Sequence, residues 1–345
     1  MATLVASPQR ILFARTDRLG EVLLSLPAVL AIRAACPKAQ LIVMVQPELK
    51  TLLDGLPEID RCIEYQAPEV SPWWVRAMRL AGRLRAEHID LAIISNPKKE
   101  LHAAAWLAGI PLRVGYDRKW GFLLTHRLQD RKALGERHEV EYNLDLVKAL
   151  GLPANVPEWR LPRFEREQHE VLQLLEQQNI RVSGSFIVVH PWASNPIKRW
   201  PTDRYQQLIR LAVTRLSAQI VIIGGPEETD QVSTALPANV AGANLAGRLT
   251  LLQLAALLQR ARLLVSNDSG PVHLAAAAGT PALVLFGSRD PATGPRRWGP
   301  WGRGHRVIWK ESMEAITVDE VFSALQEQLQ THPATDPDHQ SVWDR

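Results

Sequence analysis

Asp268, Ser269 and Gly270 stand where an apolar run gives way to small residues, in the stretch LLVSNDSGPVHLAAAAGTPALVLFG that covers 263–287. Leu263 to Val265 reads as a buried strand, Val272 to Ala278 as a helix stopped by Gly279-Thr280-Pro281, and Ala282 to Phe286 as a second strand. The first amides of such a helix lack intrahelical acceptors and, with the positive end of the helix dipole, favour an anion, most commonly a phosphate. Ser269 adds a hydroxyl, and Gly270 lets a ligand approach the backbone. Asp268 would repel a phosphate, so it reads as an N-cap or as a ribose-side acid. A buried helix merely capped by Asp268 and Ser269 would show the same spacing.

Three other loops follow apolar runs. Arg15 to Glu21 puts an acid, Glu21, in the first turn of a helix, where the plain alternative is dipole stabilisation. His190 to Pro201 places Lys198 and Arg199 just before a helix with Pro201 at its first position, a cationic pair that suits a pyrophosphate. Its plain alternative is a solvated loop anchored by Trp200. Gly224-Gly225-Pro226-Glu227-Glu228 joins a glycine pair to acids able to hold ribose hydroxyls, or is an ordinary turn. No P-loop, GxGxxG, GxSxG or HExxH occurs, which removes the ATPase, dehydrogenase, serine-hydrolase and zinc-protease signatures.

These loops need strands and helices to hold them. Strand patterns at Ile11–Ala14, Leu41–Val45, Asp90–Ser95 and Arg113–Tyr116 alternate with helical ones, including a helix through Val22 to Arg33 kinked near Pro27. Residues 151–164 carry Pro153, Pro157 and Pro162 without periodicity and read as a linker. The alternation then restarts with strands at Phe186–His190 and Gln219–Ile223 and a helix at Thr202–Leu216. The expectation is an α/β chain with parallel sheets: an N-terminal domain over 1–158, a C-terminal domain over 159–330, a ligand cleft between them, and a poorly ordered polar tail over 331–345.

Composition narrows the function classes. The 345 residues carry a formal net charge of +4 and 46% apolar residues, which argues against a nucleic-acid binder. Cys36 and Cys62 are the only cysteines, and no His/Cys cluster has metal-ligand spacing. With no signal-peptide pattern or long apolar run, a cytoplasmic protein, soluble or at most peripheral to a membrane, is expected.

RTDRLGEVLLSLPAVLAIR, HPWASNPIKRWP, IIGGPEE and, above all, SNDSGPVHLAAAAGTPALVLFG resemble glycosyltransferase family nine, the ADP-heptose:lipopolysaccharide heptosyltransferases, over roughly residues 10 to 325. The resemblance implies a GT-B fold of two Rossmann-like domains and inverting transfer of a heptose or related sugar from an ADP-activated donor to a lipopolysaccharide-core-type acceptor. Glu21 matches the acid proposed as base, where the family usually has Asp. Lys198 matches the phosphate-binding lysine, with Ser194 a weaker match. Glu228 matches the ribose acid, with Glu227 as alternative. Asp268, Ser269 and Gly270 match the diphosphate and sugar segment, with Gly224 and His273 as further donor contacts. No metal or other cofactor is expected, since Lys198 and a helix N-terminus can stabilise the leaving diphosphate. A UDP-sugar 2-epimerase of the same fold and a non-catalytic nucleotide-sugar-binding module are the competing readings.

For an anionic saccharide or lipid-linked acceptor, the candidate contacts are Arg15, Lys98, Lys99, Arg113 and Arg118, accompanied by His102 and Lys119. An ordinary charged surface is the alternative. The segment PWWVRAMRLAGRLR, Pro72 to Arg85, sets an Arg76/Arg79/Arg83 stripe beside a Trp73/Ala77/Leu80/Leu84 stripe. That pattern suits peripheral contact with an anionic membrane, or core packing beneath a solvated arginine face.

Overall fold

Apolar runs of four to six residues with no polar alternation require a sheet covered on both faces, and the chain builds two such sheets. The computed structural model describes residues 8–65, 71–156, 159–181 and 185–331. The chain forms two compact units, Met1–Trp159 and Arg160–Arg345. Of the expected tail, Thr331 closes the last helix, Val318–Thr331, and the remainder lies outside the described residues.

In the first unit, β1 (Arg10–Ala14), β2 (Gln40–Val45), β3 (Arg61–Glu64), β4 (Leu91–Ile94), β5 (Leu112–Tyr116) and β6 (His126–Leu128) form one parallel sheet in the order β3-β2-β1-β4-β5-β6. In the second, β7 (Phe186–His190), β8 (Gln219–Ile222), β9 (Ala243–Asn244), β10 (Leu263–Asn267), β11 (Ala282–Gly287) and β12 (Arg306–Lys310) are again parallel, in the order β12-β11-β10-β7-β8-β9. Read from the other edge, the second order repeats the first. Both are the doubly wound 3-2-1-4-5-6 arrangement, in which the chain reverses direction between the first and fourth strands. The carboxyl ends of β1 and β4, and of β7 and β10, therefore flank the crevices where ligands bind in such sheets.

Leu12, Ile42, Met44, Ala92 and Ile94 pack with Leu80, Leu84, Leu101 and Ala104 from the helices Trp73–Ala86 and Lys99–Leu107. Ile187, Val189, Val265, Leu283 and Leu285 form the corresponding core with Tyr205, Leu208, Val321 and Leu325. The pattern read as one helix kinked near Pro27 is two helices, Leu19–Leu23 and Leu26–Ala35. Ser25 bonds its Oγ–H to Val22 O at 2.7 Å between them, and Pro27 sits in the first turn of the second, where a missing N–H costs nothing. Three strands, β3, β6 and β9, have no matching reading in the sequence: RCIE, HRL and AN are short and lack a continuous apolar run.

Candidate active site

In the second unit, the His190–Pro201 loop leaves β7 and is pinned at its far end by Trp200. That side chain is buried, stacks edge-on against Tyr205 at 4.9 Å and donates from Nε1 to Ile316 O at 2.9 Å. The anchoring reading of Trp200 therefore holds. Of the two cations before it, Arg199 turns back on its own loop: its guanidinium lies 3.3 Å from the Trp192 ring centre, and Nε donates to Ala193 O at 2.7 Å. Lys198 instead reaches the loop after β10, where its Nζ donates to the carboxylate of Asp268. A cationic pair aimed outward is thus replaced by a single lysine. Ser194 lies exposed on the same loop.

The N-cap of the Gly270–Ala278 helix is Ser269, in extended backbone and without a side-chain cap bond. The reading of Asp268 as N-cap fails, because its carboxylate is turned to Lys198. Asp268 is buried, and that burial pushes its carboxyl upward against the pull of the lysine. Gly279 at φ +81 ends the helix in the left-handed region, where a Cβ would also meet Arg160. His273 is buried one turn into the helix.

The turn after β8 brings Glu228 inward and leaves Glu227 exposed. Glu228 accepts from the Gly225 amide at 2.8 Å and lies 3.4 Å from His190 Nε2. Burial alone would raise its carboxyl, but the His190 ring, the Gly225 amide and the Arg199 charge outweigh it and hold the group below the usual carboxylate range. A side chain at Gly224 would press on Val232 and the Glu228 carboxylate, so this glycine makes room for the turn itself. His190, which the sequence reading passed over, joins the set: Nδ1 lies 3.0 Å from Ser269 Oγ. A polar residue closing the otherwise apolar strand FIVVH was the available signal.

In the first unit, Glu21 sits half-buried in the first turn of the Leu19–Leu23 helix. Burial raises its carboxyl above the ordinary range, opposed by its own amide, Arg15 and Arg18. The loop before it is tied to the end of β4: Asn96 Nδ2 donates to Asp17 Oδ1 at 2.7 Å, and Lys98 Nζ to Thr16 O at 3.0 Å.

The acceptor-side cations divide. Arg15, 3% exposed, is committed inside to Ser95, Asp17 and Glu139. Arg113 is committed to the carbonyls of Leu123 and Ile110, and Lys98 to Thr16. For these three, an outward contact is not what the geometry favours. Lys99 over the Trp73 ring, Arg118 beside Asp130 and Lys119 are exposed. His102 is buried and holds the Lys119 carbonyl, 2.9 Å from Nδ1; that burial holds the ring below the usual histidine range.

On the Trp73–Ala86 helix, Ala77, Leu80 and Leu84 are core and Trp73 is half-buried. Arg79 and Arg83 are exposed, but Arg76 pairs with Glu100 at 3.1 Å and so leaves the expected arginine stripe. Among the described residues, no helix is long and apolar enough to cross a membrane, and no group of three or more His, Cys, Asp or Glu side chains is placed to hold a metal ion.

The profile of Glycosyltransferase family 9 (heptosyltransferase) matches residues 77–325. Lipopolysaccharide heptosyltransferase 2 of Escherichia coli K12 is 26% identical, over 84% of this chain and 84% of its own. A family 9 glycosyl transferase from Veillonella parvula superposes with a TM-score of 0.83 at 21% identity, over 94% of this chain and 97% of that one. E. coli heptosyltransferase WaaC, solved with ADP, gives 0.70 at 20% identity, over 92% and 99%. These structures share the two-sheet GT-B fold.

Proposed function

The chain belongs to glycosyltransferase family 9, the heptosyltransferases, and from that premise we propose that it transfers a heptose or closely related sugar from an ADP-activated donor to an anionic saccharide of the lipopolysaccharide-core type, with inversion at the anomeric carbon. The observation that carries this reading is the convergence of Lys198, Ser269 and Glu228 on the β7/β10 crevice of the second unit, with the amide end of the Gly270–Ala278 helix beside them.

The acceptor hydroxyl oxygen attacks the anomeric carbon as the bond to the diphosphate oxygen breaks. The hydroxyl proton passes to Glu21, whose burial makes it a stronger base than an exposed carboxylate. The electron pair leaves with the nucleoside diphosphate, whose growing charge Lys198, Ser269 and the first amides of the helix offset. Glu228, ionised, takes the ribose hydroxyls. ADP as the nucleotide is supported by the WaaC complex named above. On the acceptor side, the exposed Lys99, Arg118 and Lys119 are the cations left to meet an anionic saccharide, with Arg15 and Lys98 holding the loop that carries Glu21. Contact with an anionic bilayer through the Trp73–Ala86 helix belongs to the same reading.

Calorimetric titration with ADP, UDP, GDP and CDP in EDTA tests it. Selective ADP binding, much weakened in Lys198→Ala, is the expected result. Tighter UDP binding would move the donor and favour an epimerase-like activity, and no binding to any of the four would leave a non-catalytic module.

A further inference from the structure

His190 closes β7 in register with Ser266 of β10, at the reversal point of the second sheet, and is 3% exposed. Its Nδ1 lies 3.0 Å from Ser269 Oγ and 3.2 Å from Ser266 Oγ, and its Nε2 lies 3.4 Å from Glu228 Oε2. One ring thus spans the acid after β8 and the hydroxyl before the Gly270–Ala278 helix. For a neutral imidazole the protons have one consistent arrangement. A carboxylate can only accept, so Nε2 carries the hydrogen and faces Glu228, which leaves Nδ1 as acceptor. Ser266 commits its own hydrogen to Asn267 O at 2.8 Å. Ser269 is therefore the hydroxyl that donates its one hydrogen to Nδ1, and Ser266 Oγ, 3.0 Å away, can at most share that hydrogen in a bifurcated bond.

We propose that His190 is a positioning residue that couples Glu228 to Ser269, so that engaging the carboxylate at the ribose end and the hydroxyl at the phosphate end become one cooperative event. The proposal rests on the nucleoside-diphosphate reading of this site. His190 touches no reacting atom. Its tautomer is fixed by Glu228, and Nδ1 holds the one Ser269 hydrogen until a phosphate takes it, so engaging the hydroxyl frees Nδ1 and changes the ring's bond to Glu228. Polar chains of this kind couple their ends more strongly than pairwise contacts suggest, and residues sharing one hydrogen-bond network show couplings worth about twofold to a hundredfold in an equilibrium.

A double-mutant cycle on the full chain tests this. ADP is titrated calorimetrically into the protein with His190 intact and into its Glu228→Gln, Ser269→Ala and double variants, and the four are repeated in a His190→Asn background. Asn keeps an amide near the Nδ1 position but does not reach Glu228. With His190 present, the double variant should weaken ADP by about tenfold less than the product of the single effects; with Asn, the effects should multiply. Multiplying effects in the His190 protein overturn the coupling while leaving ADP binding, and hence the donor reading, intact. Failure of the unsubstituted protein to bind ADP removes the donor reading and the coupling together. Should His190→Asn not fold, ring nitrogen NMR of the unsubstituted protein decides. An Nε2–H tautomer that shifts toward Nδ1–H in Glu228→Ala supports the proposal; an Nδ1–H tautomer in the unsubstituted protein, or an Nε2–H tautomer unchanged by Glu228→Ala, overturns it.

Discussion

Lys198 and Asp268 lie 70 residues apart in the chain and meet as an ion pair where the loops after β7 and β10 converge. The lysine proposed for the diphosphate is therefore oriented before any ligand arrives, by a carboxylate that is itself buried.

Among the described residues Lys198 is the cation paired with Asp268, and Lys198→Ala leaves that buried acid uncompensated, at a cost of about 3 kcal/mol. Urea denaturation should read that loss at neutral pH. ADP affinity should fall at least about tenfold, since a charge-assisted contact to phosphate is lost. An unchanged ADP titration would dismiss Lys198 as the phosphate cation.

As the proposed base, Glu21 is expected to affect activity and stability with opposite signs. Its folded-state carboxyl is raised by burial. A carboxyl raised on folding contributes stability that is fully present below its unfolded pKa and is lost as pH rises through the folded value. At neutral pH the ionised, buried Glu21 therefore costs stability, and Glu21→Gln should melt higher than the parent there, with the gap closing in acid. The same variant should lose about a hundredfold or more in kcat. The acid limb of the kcat/KM profile should lie above the ordinary carboxylate range. A variant that keeps its turnover would move the base elsewhere.

Much of this was legible in the sequence because the two sheets advertise themselves. FIVVH, LLVSN and ALVLFG are buried throughout, and the small-residue helix after Asp268 could sit nowhere but against the sheet. The helix Thr202–Leu216 coincides with its sequence pattern residue for residue. What stayed hidden depends on partners far away in the chain. No local pattern distinguishes Arg199, folded onto Trp192, from Lys198, reaching Asp268. Arg15 reads as a loop cation, and only the helix Glu139–Lys148 packed beneath it turns it into an interior residue. Edge strands such as β9 are fixed by a neighbour's backbone rather than by their own side chains.

The Trp73–Ala86 helix presents Trp74 and Met78 about half exposed, and the nearby turn presents Trp120 and Phe122, with Trp73 stacked edge-on against Trp120 at 4.7 Å. Arg79, Arg83 and Lys119 are exposed on the same segments, and Lys99, at the start of the Lys99–Leu107 helix, is exposed over the Trp73 ring. Aromatic and cationic groups together suit the interface of an anionic bilayer. Arg79→Glu with Arg83→Glu should abolish flotation with phosphatidylglycerol vesicles at low salt while leaving the melting temperature within a degree or so. Arg76 is left out because it pairs with Glu100. Equal flotation of parent and variant would dispose of bilayer contact through this helix.

Glu139 is wholly buried and accepts from two cations, Arg15 at 3.2 Å and Lys132 at 2.8 Å. Arg15 continues to Asp17 at 3.0 Å, and Asp17 is held by Asn96, so the carboxylate on one helix fixes the loop that leads to Glu21. Glu139→Gln leaves two buried cations short of an anion and should cost about 3 kcal/mol in urea denaturation. Replacing Arg15, Lys132 and Glu139 together by methionine removes the buried charges of that cluster, leaving the partly exposed Asp17, and should regain most of that stability, because well-packed apolar residues often match a buried ion network. Transfer should not return with it, since Asp17 then lacks its arginine and the loop its fixed course. Full turnover in the stable triple variant would show that the network serves the fold alone; a stable protein with low kcat and unaltered ADP affinity is the outcome expected if it positions the base.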